Sequence, residues 1–306
     1  MSAASPQSLP PQTAAHPPVE PSGRPQSRAP AHAGQFACAE IWGGNRPADG
    51  AIELPGVRGY IYSRPCDGGR GGDIHYVSLC NSGLISRVCL ADVAGHGETI
   101  AAVGGTIHGL LRQYMNSFDQ RRVLADLNRQ MDRQELGAMT TAVTVTLFPP
   151  SRYLSISYAG HPPAWFLRRS EGRWRLLDPR EDVPSRRRVD LPLAVDPNAE
   201  FGRYDLRVRT GDRLLLLTDG VLEAPSPTGE QFGESRLARV LDQHRAAPLD
   251  ELTRGIVQAL CEHTGCPEVA HDDVTLLALE IVPGPPLLGL LHALKNRLFA
   301  RRRGRA

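Results

Sequence analysis

Two neighbouring segments of this chain carry a strict period of two. Over residues 141–148, Val143, Val145 and Leu147 alternate with threonines, and over residues 153–158, Leu154 and Ile156 alternate with serines. An extended backbone turns every second side chain to the same face, so both segments are expected to be β-strands with one face on a core. Similar patterning marks residues 57–63, 74–80, 84–93, 165–169, 173–177, 204–209, 214–217 and 274–281 as strands. Residues 214–217 are apolar throughout, as in a strand covered on both faces. Helical spacing appears in two pairs of segments, 98–115 with 119–134 and 234–243 with 249–263. Strands in runs with helices in blocks argue for an α+β layered sandwich of antiparallel strands, not a doubly wound parallel sheet.

Aspartates stand at the ends of these strands. If Ser82 and Gly83 form a two-residue hairpin loop, opposed positions sum to 165, and Asp73 faces Asp92 with Cβ atoms about 5 Å apart. A three-residue loop would set Asp73 against Ala91 instead. Asp219 follows strand 214–217, and Asp272 and Asp273 precede strand 274–281, so antiparallel pairing of these two would gather their acids at one sheet end as well. Like charges so placed repel unless a cation lies between them. A single strand-end aspartate, by contrast, is ordinary turn chemistry, and spacing alone leaves both readings open. Carboxylate oxygens suit Mg²⁺ or Mn²⁺, and two such ions acidify water and neutralise a phosphate during in-line displacement. The chemistry such a set supports is phosphoester hydrolysis by water, with no side-chain nucleophile.

Five motifs stand in the order and spacing of the metal-dependent protein phosphatases (protein phosphatase 2C): Gly71-Gly72-Asp73, Ala91-Asp92-Val93-Ala94-Gly95-His96-Gly97, Ala159-Gly160-His161-Pro162-Pro163, Leu217-Thr218-Asp219-Gly220 and Asp272-Asp273-Val274-Thr275. Over roughly residues 57–281 the chain resembles the bacterial branch typified by stage II sporulation protein E and sigma-factor-regulating phosphatases. The resemblance implies an αββα sandwich of two mainly antiparallel sheets flanked by helix pairs, and two bridged Mn²⁺ or Mg²⁺ ions. It also implies hydrolysis of phosphoserine or phosphothreonine in a protein, such as a phosphorylated anti-sigma-factor antagonist. Carried over residue by residue, Asp92 bridges both ions, the Val93 carbonyl adds a ligand, Asp73 binds one ion directly or through water, and Asp219 and Asp272 hold the other. Asp273 is not expected as a primary ligand. The alternative is a non-catalytic phosphoprotein-binding module with the same fold. The chain departs from the branch at Ile74-His75-Tyr76-Val77, where an aromatic pair and a second acid are common, at Tyr158 in place of asparagine, and at Ala194 in place of glycine. None of these is a ligand position.

Gly95 and Gly97 permit a tight strand-to-helix turn whose free amides would face phosphate, against the reading of a plain turn. His96 is a candidate for proton transfer to the leaving oxygen, against a structural hydrogen bond. Arg64 is a candidate phosphate clamp, against a surface salt bridge. His161 is expected to hold the turn at Pro162-Pro163. Cys261, His263, Cys266 and His271 lack the spacing of paired zinc knuckles. In helix 98–115 the small residues Ala101, Ala102, Gly104 and Gly105 predict close packing.

The 306 residues include 35 basic and 33 acidic side chains, a formal net charge of +2, so no nucleic-acid partner is expected. Six basic residues, Lys295, Arg297, Arg301, Arg302, Arg303 and Arg305, fall in residues 281–306 without an acid, and the remainder holds 29 basic against 33 acidic residues. Residues 283–306, with Leu287, Leu291, Leu294 and Leu298, form a basic amphipathic tail suited to an anionic lipid surface or a partner's groove, unless it is solvated or folds back. Residues 1–35, with eight prolines before Ala31, are expected to be a disordered arm, leaving 36–282 as the globular domain. Six cysteines without a Cys-x-x-Cys pair, no signal-peptide pattern and no long apolar stretch point to the cytoplasm. Oligomeric state is not legible.

Overall fold

The computed structural model describes residues 38–80, 84–95, 97–115, 117, 119–134, 136–177, 190–268 and 271–284. The expected arm at 1–35 and all but the first two residues of the expected tail lie outside them. Strands β1 (Cys38–Gly44), β4 (Ile74–Cys80), β5 (Ile85–Val93), β6 (Thr140–Phe148), β7 (Tyr153–Ala159) and β10 (Tyr204–Arg207) form sheet A in that order. Sheet B runs β2 (Ala48–Leu54), β3 (Val57–Arg64), β12 (Val274–Ile281), β11 (Arg213–Leu217), β8 (Ala164–Arg168) and β9 (Arg173–Leu177). Neighbouring strands in both sheets are antiparallel. Helices α1 (Glu98–Tyr114) and α2 (Gln120–Arg133) follow β5; α3 (Asp219–Leu222), α4 (Gly233–Gln243) and α5 (Leu249–Thr264) lie between β11 and β12. No helix among the described residues is long and apolar enough to cross a membrane.

Side-chain parity sorts the strands into layers. Val88 and Leu90 of β5, Val143 and Val145 of β6, Leu214 and Leu216 of β11, and Leu277 and Leu279 of β12 meet in one cluster between the sheets. The alternate positions of sheet B, Leu215, Leu217, Leu276 and Ala278, pack with Leu237, Leu252 and Ile256 of α4 and α5. Those of sheet A, Ile74, Tyr76, Cys89 and Ala91, pack with Ile107, Leu111, Val123 and Leu127 of α1 and α2. Three apolar interfaces between four layers make an αββα sandwich, the architecture the resemblance implies. The β4–β5 register runs from Ile74↔Ala91 to Cys80↔Ile85, each pair summing to 165, as the two-residue loop requires.

The hydroxyl-bearing face of β6 and β7 is a surprise. Alternation with Thr and Ser reads as one face on a core and one polar face, yet Thr144, Thr146, Ser155 and Ser157 are all buried. α2 covers them, and the Gln120 amide, oriented so that its nitrogen donates, reaches the carbonyls of Thr144 and Ser155. On the same helix-facing side of β5, Arg87 is 1% exposed and donates to the Met115 carbonyl at the end of α1. Its Nε and Nη2 find no acceptor among the described residues. Burial lowers its pKa only to about 10, so it stays charged at neutral pH. A buried charge with unmatched donors opposes folding. Arg87→Met is therefore expected to hold or raise stability by up to about 2 kcal/mol in urea unfolding. Leu216→Ala, which empties space between the sheets, is expected to cost about 2–5 kcal/mol in the same measurement.

Candidate metal centre

Asp73 lies one residue before β4 and Asp92 near the end of β5. The observed register sets them opposite one another, on the parity that faces sheet B. From sheet B, Thr218, which follows β11, and Asp273, which precedes β12, have the same inward parity. Thr218 Oγ1 donates to Asp73 Oδ2 at 2.8 Å and accepts the Thr275 N–H at 3.0 Å, so one hydroxyl joins both sheets. Asp73 is 2% exposed, and its Oδ1 has no hydrogen-bond partner among the described residues.

The acids feel each other. Burial pushes the Asp73 carboxyl up to about 8; hydrogen bonds from Thr275 and Thr218 oppose this, and the charges of Asp273 and Asp219 add to it. Asp92 is pushed up to about 9 by burial first, then by the charges of Asp73 and Asp219. Asp272 is raised by burial and by Asp219 and Asp273, against a hydrogen bond from the Asp273 amide. Asp73, Asp92, Asp219 and Asp272 thus share one electrostatic neighbourhood, drawn from both sheets.

Asp273 behaves differently. Its Oδ1 accepts the Cys66 N–H at 2.8 Å, and its Oδ2 accepts the Gly72 N–H at 2.5 Å and the Asp73 N–H at 3.4 Å. Both oxygens are therefore engaged with backbone. Asn45 holds the same turn from another side, donating to the carbonyls of Gly71 at 2.9 Å and Ala101 at 2.7 Å. His271 Nε2 donates to the Gly220 carbonyl at 2.7 Å, tying α3 to the start of β12. A Cβ at Gly72 would stand 2.8 Å from the Val93 carbonyl oxygen, so only glycine lets this turn close on that oxygen. Asn45 and His271 are absent from the sequence-derived site; neither belongs to a patterned motif, and they act through side-chain bonds to backbone carbonyls, two from Asn45 and one from His271.

The other candidates fall out as follows. Gly95 and Gly97 take φ of 104° and 97° in the turn into α1, where the Gly97 carbonyl accepts the Ala101 N–H at 3.0 Å. His96 lies outside the described residues. Arg64 pairs in register with Val274 and forms an exposed ion pair with Glu268. His161 Nδ1 lies 2.9 Å from Thr141 Oγ1, and burial pushes its pKa down to about 3. Cys261 Sγ, His263 Nε2 and His271 Nε2 are spent on the carbonyls of Pro267, Glu230 and Gly220.

Among the described residues no three acid, histidine or cysteine side chains are disposed around one point as finished metal ligands. The donor chemistry nevertheless fits divalent cations. The oxygens are hard, Asp73 Oδ1 is buried and unmatched among the described residues, burial and neighbouring carboxylates keep protons on Asp73 and Asp92, and the Val93 carbonyl borders the Gly71–Asp73 turn.

The family model for stage II sporulation protein E (SpoIIE) matches residues 86–282. The chain belongs to this family. Among curated relatives, the phosphoserine phosphatase RsbU of Bacillus subtilis (strain 168) is 21% identical over 199 residues, 63% of this chain and 55% of that protein. The phosphoserine phosphatase RsbP of the same organism is 24% identical over 196 residues, 62% of this chain and 44% of that protein. This SpoIIE-family chain therefore spans about half the length of the curated relatives it matches. Its fold is shared with the crystal structure of the RsbU and RsbW domains of a Mycobacterium tuberculosis protein (TM-score 0.65, 23% identity, 79% of this chain and 64% of that one). It is shared too with the SiaA PP2C domain of Pseudomonas aeruginosa (TM-score 0.61, 21% identity, 73% and 85%).

In the metal-free SpoIIE-family protein, the folded chain keeps protons on Asp73 and Asp92 up to about pH 8 and 9, whereas the unfolded chain releases them near pH 4. The folded state then binds more protons, so stability falls as pH rises through this window. His75 and His161 act in the opposite sense, their pKa values pushed down by burial to about 4 and 3, but their influence is complete above about pH 6.5. The melting temperature in EDTA is therefore expected to drop between about pH 6.5 and 9. Asp92→Asn is expected to flatten the drop. A melting temperature that stays level in the parent chain would contradict the shared-proton cluster.

Proposed function

We propose that this chain is a metal-dependent protein serine/threonine phosphatase, with residues 36–282 as its catalytic domain. The observation that carries the reading is the convergence of Asp73, Asp92, Asp219 and Asp272 from both sheets at one end of a SpoIIE-family sandwich, with a buried Asp73 oxygen left unmatched. In this reading Asp92 would serve both cations, the Val93 carbonyl would add a ligand, Asp73 would serve one of them, and Asp219 and Asp272 would serve the other. Bound Mn²⁺ or Mg²⁺ would supply Lewis acidity for attack of water on a phosphoester. Asp273 and Asn45 keep the Gly71–Asp73 turn closed, and Thr218 fixes the Asp73 rotamer, so the carboxylates meet a ligand already oriented.

A cleft of about 410 Å³ adjoins Asp219 and is walled by Tyr158, Pro162, Pro163 and Leu222. Its apolar floor suits a polypeptide segment whose phosphate reaches the acids. A phosphorylated signalling regulator, such as an anti-sigma-factor antagonist, is the substrate class we favour, supported by the names of RsbU and RsbP. We take the protein to work in the cytoplasm, with the 283–306 tail available for a lipid surface or a partner protein. Gly95 and Gly97 remain candidates for contact with the phosphate, and His96 for proton transfer to the leaving oxygen.

The test is release of phosphate from p-nitrophenyl phosphate and from a phosphoserine peptide with Mn²⁺. Asp92→Asn and Asp219→Asn are each expected to lower kcat by about a hundredfold or more while the protein stays folded. Turnover that survives both changes ends this mechanism. Tight phosphopeptide binding without phosphate release would instead establish a non-catalytic module.

A further inference from the structure

Sheet B carries a second feature at the end opposite the acids, where β11 begins and β12 ends. Three turns, at residues 168–172, 209–213 and 244–247, enclose a cleft of about 410 Å³ lined by Arg58, Arg169, Arg213, Arg245 and Glu280. Asp212, 1% exposed, stitches the first two turns together. Its carboxylate accepts the Arg169 N–H at 3.0 Å, the Arg209 N–H at 2.9 Å and Arg168 Nη1 at 3.2 Å. Arg213 stitches on the third, its Nη1 donating to the carbonyls of Arg245 at 3.2 Å and Ala247 at 2.7 Å. Its Nε donates to Glu280 Oε2 at 2.9 Å, and Arg58 takes the other Glu280 oxygen at 2.8 Å.

The acids here are thus already matched, Glu280 by two guanidinium groups and Asp212 by Arg168 and two amides. Arg169 and Arg245 have no acidic partner among the described residues. A Cβ at residue 211 would stand 2.4 Å from Arg169 Cδ, so Gly211 lets the Arg169 stem lie across the turn. The cleft therefore combines surplus positive charge with walls fixed by their own hydrogen bonds. The exposed Arg169 and Arg245 forks are left to match phosphate oxygens beside those walls, and the volume lies in the range of small-molecule sites. From Arg213 to Asp219 the chain advances about 20 Å, too far for one phosphate to touch both ends.

We propose that this cleft binds the phosphate groups of a small organic phosphate of nucleoside diphosphate size, at a site separate from the acidic end and independent of its chemistry. The test is calorimetric titration of the full chain in EDTA, which keeps cations from the acids, with ADP, pyrophosphate and adenosine. Saturable one-to-one binding of ADP is expected, at least about tenfold tighter than adenosine, with a loss of about tenfold or more in Arg169→Glu/Arg245→Glu. Both positions are exposed, and an unchanged melting temperature without ligand checks that the double variant is folded; Arg245→Gln alone should give a smaller loss in the same direction. Pyrophosphate binding as tightly as ADP would make the site a reader of polyphosphate, and weaker pyrophosphate binding would add the nucleoside; either result upholds the proposal. It is overturned if neither ADP nor pyrophosphate saturates, or if adenosine binds equally well. It is also overturned if Arg173→Glu, outside the cleft, weakens ADP binding as much as the double variant does. Loss of binding on changing Arg301, Arg302, Arg303 and Arg305 to Gln would place the effect in the tail and overturn it likewise.

Discussion

Assembly of the acidic end depends on the Asp273 carboxylate. Asp273 belongs to the start of a sheet B strand, yet it collects the backbone N–H groups of Cys66, Gly72 and Asp73 on the way into sheet A. Charge-assisted bonds of this kind are among the stronger polar interactions in a protein interior. Here they fix the turn that carries Asp73, while Asn45 fixes it from the α1 side. With the turn immobile and the Asp73 side chain bonded to Thr218, Asp73 has no way to retreat from Asp92. Burial first, and neighbouring carboxylate charge second, then hold protons on both far above the usual carboxylate range.

Much of this was legible in the sequence because it follows from period and parity. A two-residue loop expected at Ser82-Gly83 gives a register sum of 165, the sum the β4–β5 pairing shows, and from that sum Asp73 opposes Asp92. The antiparallel pairing of β11 with β12, the condition for gathering their acids at one sheet end, is what the structure shows. Residues 38–54 gave no such signal. β1 and β2 are edge strands, and segments such as Ala48–Leu54 mix Asp, Gly and Glu with alanine and only two large apolar residues, Ile52 and Leu54, so propensity and pattern are both weak there. Asp273 was legible as an acid but not in its role, because accepting backbone amides across two sheets leaves no trace in local spacing. The bonds by which Asn45 and His271 hold backbone carbonyls leave no such trace either.

The Thr and Ser positions of β6 and β7 show where the pattern misleads. Alternation reports that two faces differ, not that one of them meets water. Here the apolar face meets sheet B, and the hydroxyl face meets α2, so both are buried. The sandwich consequently has interfaces of two kinds. Between the sheets and beneath α4 and α5, stabilisation comes from non-directional apolar burial; beneath α2 it depends in part on directional bonds from Gln120, with the Arg87 charge still unmatched.

The acids themselves divide by how much freedom the fold leaves them. Asp73 is fully buried and anchored through Oδ2, so only Oδ1 can meet a ligand, from one direction. Asp92, Asp219 and Asp272 are only partly buried, at a strand end, the first turn of a four-residue helix and a bend before β12. A site built from one fixed carboxylate and three adjustable ones suits hard cations. Mg²⁺ takes one or two carboxylates and keeps several waters in its shell, so partly exposed acids around one anchored oxygen leave room for that water. The fixed member sets where charge is gathered, and the adjustable members set how it is shared. That division explains why the chain spends its glycines and buried hydrogen bonds on the Asp73 turn and leaves the opposing acids at the ends of elements.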